Sequence, residues 1–335
     1  MHTQLSLWNL PDVVARIIFN RVGFKSILNL RKVCRDLRNR IDDIKPEVNL
    51  LNVLIDVSDY EIRFEYESQD VEQSGVIWCE VEYERTVESG RSIVRSRGSE
   101  KIVNGEFLEL ASRDFQLILK FHKKRIEEIL VNKKTGYSNN LLQFLDTVKS
   151  FLALENRLLK VDYFTIETND QKSVIAALSL IDPQSIYSIT IANLNESNQS
   201  MDIAEIMEME HWKTAKRFES DSGITGVSAY NFRHFSIIFL TFQSISAEEL
   251  LDFKKIFENS SEAKLFIIQY ETFKDREQFL EKMGPPVTFE DEFNWYFRMS
   301  TTGDNVLLIQ LHSFKSIMFR REAVADVPED AVIQN

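Results

Sequence analysis

Glycine and proline are scarce in this chain, ten and six in 335 residues, and that shortage removes several function classes at once. A phosphate-cradling loop of the Walker or dinucleotide type needs glycines at fixed spacing so that backbone N–H groups can approach the phosphates. No such run occurs, and no G-x-S-x-G turn for a hydrolase nucleophile is present. Cysteine is rarer still. Cys34 and Cys79 alone cannot build a disulfide framework or a four-cysteine zinc site, and this usage fits a reducing cytoplasmic and/or nuclear setting. The five histidines, His2, His122, His211, His234 and His312, fall into no H-E-x-x-H or paired arrangement. No stretch reaches the ~18 consecutive apolar residues of a membrane helix, and the first residues lack the layout of a secretory signal. Positive charge is in deficit as well. Forty basic against 52 acidic residues leave −12, the wrong sign for a general nucleic-acid binder, whose affinity comes from neutralising phosphates. The expectation is a non-catalytic chain without a metal or cofactor, binding neither nucleic acid nor membrane.

Against these absences stands a globular composition, 44% hydrophobic and 27% charged, on a chain longer than one typical domain. The charge is uneven. Residues 21–45 hold eight basic and three acidic side chains, an excess of +5 within an acidic protein. Such a face suits an acidic partner, where complementarity sets on-rate and orientation. The same residues also read as a solvated helix face.

Residues 7–41 carry the densest signal. Leu10-Pro11-Asp12 opens a helix: proline in the first turn loses no backbone bond, and aspartate there suits the helix dipole. Val13, Val14, Ile17 and Ile18 then lie along one stripe. A second apolar series, Ile27, Leu30, Cys34, Leu37 and Ile41, is spaced three and four apart and fits either one helix or two with a kink. So short a module carries more apolar surface than it can hide alone.

The ordered series Leu10-Pro11, Ile17-Ile18, Phe24, Leu28, Leu30 and Val33-Cys34-Arg35 resembles an F-box. The resemblance implies three helices that dock on a Skp-family adaptor and, through it, on a cullin of a ubiquitin ligase. It also implies that Leu10, Pro11, Ile17, Ile18, Phe24, Leu28, Leu30, Val33 and Cys34 form the adaptor-binding set. Trp8, just before it, could extend that interface.

Beyond Pro46 the texture changes to alternating strands: two runs in 48–66, another at Val76–Tyr83 and a short one at Ile93-Val94. From residue 104 onward helices and strands alternate. Helices are expected near 105–121, 138–153 and 170–181, and a capping box at Ser246 and Glu249 opens another. The strands share a spacing. Ile126/Ile129/Val131, Val161/Phe164/Ile166, Ile186/Ile189/Ile191, Phe235/Ile238/Leu240 and Ala263/Phe266/Ile268, with a weaker Ala215/Phe218/Ser220, place apolar residues at positions one, four and six. That is the core of a leucine-rich-type repeat, and an open sheet with helices on both faces is the alternative. In the repeat reading Asp162, Thr165, Ser188, Thr190, Ser236 and Phe239 line an open strand face.

Ile181-Asp182-Pro183, His211-Trp212-Lys213-Thr214-Ala215-Lys216, Phe232-Arg233-His234-Phe235 and Ile245-Ser246-Ala247-Glu248-Glu249-Leu250 resemble the FTH domain that follows the F-box in the nematode F-box A family. That family's domain is taken to be a protein-interaction module. After Gly284-Pro285-Pro286, three further runs read as a closing antiparallel meander.

The expected architecture is therefore α/β: a three-helix F-box over 7–45, an antiparallel β meander over 46–103, and a leucine-rich-repeat-like β/α curved sheet over 104–283. A closing meander over 284–322 and a disordered acidic tail over 323–335 complete it. The function implied is substrate recognition within an SCF-type (cullin-RING) ubiquitin ligase, the F-box holding the adaptor and the C-terminal domain an unknown target protein. The alternative is a repeat-type interaction module acting outside a ligase, its N-terminal helices serving only as a cap.

Overall fold

The computed structural model describes residues 10–22, 24–69, 76–87, 90–96, 98–134, 139–193, 200–289, 292–299, 303–313, 315–329 and 331–334; Trp8 lies outside them. The chain forms two compact units, Met1–Asp162 with Ser179–Asp182 and Tyr163–Leu178 with Pro183–Asn335.

The first unit opens with the expected three helices, α1 (Asp12–Arg21), α2 (Phe24–Val33) and α3 (Arg35–Ile44). The apolar series from Ile27 to Ile41 is two helices. They break at Cys34, whose backbone is extended and whose Sγ accepts the Leu37 N–H at 3.4 Å. Cys34 therefore caps α3 instead of filling its core. Leu37, Ile41 and Ile44 of α3 bury themselves together with Phe19 of α1 and Ile27 of α2. Arg31 forks onto Asp42 through two 2.8 Å bonds. Arg40 reaches the Leu10 carbonyl at 2.5 Å and Asp12 at 2.6 Å, fixing α3 against the start of α1.

Strands β1 (Leu50–Val57), β2 (Glu61–Gln69), β3 (Val76–Arg85), β4 (Arg91–Ser96) and β5 (Ser99–Asn104) follow as successive antiparallel pairs. Then come α4 (Phe107–Phe121), β6 (Ile126–Lys133) and α5 (Asn140–Leu154), with β6 parallel to β1. The meander expected over 46–103 is present, but it shares a sheet and a core with the first β/α pair. Ile62, Phe64 and Tyr66 alternate inward from β2. Phe64 stacks on Phe115 of α4 at 5.3 Å and meets Phe144 of α5 at 5.7 Å. That aromatic packing is why the division between units falls beyond α5 and not at residue 104.

The second unit contains β7, which begins at the boundary (Val161–Glu167), α6 (Gln171–Leu178), β8 (Ser188–Ala192), β9 (Met201–Asp202), α7 (Ala204–Met207), α8 (Glu210–Thr214) and β10 (Arg217–Thr225). It continues through β11 (Ile237–Ile245), α9 (Ala247–Glu258), β12 (Leu265–Phe273) and α10 (Arg276–Met283). Strands β7, β8, β10, β11 and β12 lie side by side, all parallel and in chain order. Each crossover advances the sheet in the same direction, and parallel crossovers keep one hand, so the helices gather on one face. This is the progression of a repeat; a doubly wound sheet reverses its order.

The one-four-six spacing becomes a ladder. Position four runs Phe164, Ile189, Phe218, Ile238, Phe266 across the sheet, and position six runs Ile166, Ile191, Ser220, Leu240, Ile268, all in register. Every position-one, -four and -six residue of the six copies is buried. The aromatic motifs fill the space beneath: the Trp212 ring meets Phe218 at 4.7 Å, Phe235 at 5.0 Å and Phe232 at 5.6 Å. The capping box forms, with Ser246 N–H donating to Glu249 at 2.8 Å and Glu249 N–H returning to the Ser246 hydroxyl at 3.3 Å.

Gly284, at φ 75°, ends α10 in a conformation that favours glycine, and its carbonyl accepts the Trp295 indole N–H at 3.0 Å. Then β13 (Val287–Phe289), β14 (Glu292–Arg298), β15 (Asn305–His312) and β16 (Ser316–Ala323) form the closing meander, with β16 antiparallel to β12.

The tail corrects the sequence reading. Instead of being disordered, it makes a short strand β17 (Ile333–Gln334) parallel to β14. Val327, Ala331 and Ile333 cover Tyr296, Val306 and Leu308. Acidic composition hid three aliphatic residues with a place to go. Deleting residues 327–335 uncovers that cluster and is expected to cost about 2 kcal/mol, roughly half of what fully burying three such side chains would return. A lowered urea midpoint checks this; an unchanged midpoint would mean the contacts are incidental.

Two histidines tie elements together. His122, buried, sets Nδ1 3.0 Å from the Val48 carbonyl where the chain enters β1. His234 places Nε2 2.7 Å from the Trp212 carbonyl. Burial lowers both pKa values below the ordinary 6.5. The unfolded chain therefore binds more protons once pH falls below about 6.5, and stability drops as the pH descends toward the folded values. The denaturation midpoint is expected to fall between pH 7.5 and 5.5, with a shallower slope in His122→Gln than in the parent.

Candidate functional site

Helix α1 has a buried side and an apolar outer side. Ala15 and Phe19, four residues apart, face the core, while Val13 is 71% exposed, Val14 41% and Ile17 51%. Val33, at the end of α2, is 68% exposed. Ile18 is half-buried, so the stripe read from the sequence splits. Only one side of α1 can meet α3, and the Phe19 ring takes it.

Of the residues expected to bind an adaptor, Pro11, Ile17 and Val33 are exposed, while Leu10, Ile18, Leu28, Leu30 and Cys34 are half-buried. The Phe24 side chain lies outside the described ones. None of the eight is fully buried, so each keeps part of its surface accessible. Val13 and Val14 were missed as surface residues; the Ala15–Phe19 pair, with its large aromatic, was the signal for the opposite stripe. Of the basic residues nearby, Arg31 and Arg40 are engaged within the module, whereas Lys32, Arg35 and Arg38 stand exposed.

In the second unit, the strand face opposite the helices carries rows between the buried ladders. Thr165, Thr190, Glu219, Phe239, Ile267 and Met318 form one row in register. Ile237 and Leu265 sit beside it. Ile237, Phe239, Leu265, Ile267 and Met318 are all half-exposed, a contiguous apolar strip. The Arg217 guanidinium lies 5.3 Å over the Phe239 ring and pairs with Glu219. Thr165 and Thr190 are half-exposed as expected, and so are Asp162 and Phe239, but Ser188 and Ser236 are buried. At the end of this same face the tail lies over Leu308 and Tyr296.

Among the described residues no three His, Cys, Asp or Glu side chains gather where a metal could be held, and no described helix is long and apolar enough to cross a membrane.

A three-helix module with exposed aliphatic side chains on its first helix, followed by a β/α sheet with half-exposed apolar residues on one face, is the architecture expected of an F-box followed by a second domain. Comparison with known proteins agrees: the F-box domain matches residues 7–49 and the FTH domain residues 142–282. The chain thus carries an F-box followed by an FTH domain. It is similar to F-box A protein 224 of Caenorhabditis elegans, with 23% identity over 329 residues, spanning 97% of this chain and 80% of that relative.

Proposed function

We propose that this protein is a substrate-recognition subunit of an SCF-type ubiquitin ligase. The F-box binds a Skp-family adaptor, and through it a cullin. The second unit holds a target protein on its open strand face, and the chain itself performs no chemistry. The observation that carries the reading is the set of exposed aliphatic side chains on α1 and at the end of α2, opposite a face already committed to the core. A helical cap for a repeat array would show a polar outer side, which weighs against the alternative of a free-standing module. The gain for a target is proximity: tethering raises the effective concentration of its lysines at the ligase.

The experiment is co-expression of the full chain with a Skp-family adaptor and a cullin. A stoichiometric complex on size exclusion is expected, and once a RING subunit, activating and conjugating enzymes, ubiquitin and ATP are added, ubiquitin should pass from the conjugating enzyme's thioester to lysines of proteins retained by the chain. A folded chain that elutes alone in the presence of both would overturn the proposal.

A further inference from the structure

A cavity of about 770 Å³ in the first unit opens between the F-box helices, strands β3 and β4, and helix α4. Of the residues expected to bind an adaptor only Leu28 reaches its lining, and no residue of the strand face does. Its floor is apolar: Val81 and Val94 from the strands, Leu117 and Ile118 from α4. Its rim is cationic. Arg31 and Lys32 of α2, Arg38 of α3, and Arg113 and Lys120 of α4 all line it, against the single carboxylate of Asp114. That carboxylate already accepts the Tyr83 hydroxyl at 2.8 Å and lies 3.4 Å from Arg113. Arg31 is committed to Asp42. Lys32 and Lys120 make no ion pair among the described residues.

Five cations around one groove of a protein with net charge −12 form a local field of opposite sign, and a low-dielectric wall concentrates such a field. The volume lies within the range of about 300–1,000 Å³ typical of small-molecule sites. From this charge and shape we infer that the groove binds a small amphiphilic anion: one phosphate or carboxylate head held by Lys32 and Lys120, with an aliphatic body over Val81, Val94 and Leu117. An acidic peptide fits less well. Its backbone N–H and C=O groups would lie against these aliphatic side chains without partners, which is costly.

Isothermal titration of the full chain with decyl phosphate, below its micelle concentration, tests this. Saturable binding at one equivalent per chain is expected. Decyltrimethylammonium and inorganic phosphate should each bind at least tenfold more weakly, and a decanoate arm tells which head is preferred. Lys32→Glu with Lys120→Glu should weaken decyl phosphate at least tenfold without shifting the unliganded melting temperature. A photoreactive decyl phosphate, which needs no variant, should label peptides containing Val94 or Leu117. Non-saturable uptake, equal binding of the cationic analogue, label elsewhere, or equal displacement by an acidic hexapeptide would each overturn the assignment.

Discussion

Placing aspartate at both Val13 and Ile17 is expected to abolish capture of a Skp-family adaptor while leaving the protein folded. The two residues are four apart on α1, hence on one face, and both are more than half exposed. Neither contributes to the Phe19, Leu37 and Ile41 core, so the melting temperature should stay close to the parent's. Aspartate at position 13 also sits in the first turn, where its charge suits the helix dipole. In a complex, each aliphatic side chain that becomes fully buried contributes about 1.5–3 kcal/mol. Losing two removes about 3–6 kcal/mol, and 1.4 kcal/mol is a tenfold change in affinity. A drop of more than about a hundredfold in adaptor affinity, read by titration calorimetry, is therefore the expected result. Unchanged affinity in a folded double variant would remove the ligase reading at its root. Leu10, Ile18, Leu28 and Leu30, half-buried already, should each matter less than Ile17.

What could be read from the residues is local and periodic. The two-residue intervals of Phe164/Ile166, Ile238/Leu240 and Phe266/Ile268 became cross-strand ladders, because a strand with one covered face must repeat its apolar positions with period two. The Ser246–Glu249 cap was equally legible, being a contact between residues three apart. The misses required partners distant in sequence. Nothing near Phe64 says that it stacks on Phe115, and that contact moved α4 and α5 into the same unit as the first meander. Ile333 looked like part of an acidic tail until Tyr296 and Leu308 stood beside it. Val13 and Phe19 are both apolar on one short helix; only the position of α3 decides which faces inward. The exposed side of α1 follows the same logic: an ordered apolar series marked the module, while exposure required the packing.

The open strand face yields the second large effect. Replacing Phe239 and Ile267 by arginine puts two charges in the middle of the apolar strip, at neighbouring register positions. Both side chains are half-exposed and point away from the helices that cover Ile238 and Phe266, so the core ladder is untouched. If targets dock here, these two residues lie near the centre of the interface, where aromatic and aliphatic anchors carry most of the energy. Two such losses are worth at least about 3 kcal/mol, more than a hundredfold in affinity. The measurement is a proteomic comparison after proteasome inhibition. Proteins retained by the parent and by the Val13→Asp/Ile17→Asp variant, but lost with Phe239→Arg/Ile267→Arg, are targets held by this face. Adaptor recovery must be equal for the parent and the Phe239→Arg/Ile267→Arg form, because the F-box is unaltered in both. Were every retained protein still bound by the arginine variant, recognition would have to lie on another surface, and the exposed strip would be a consequence of sheet geometry alone.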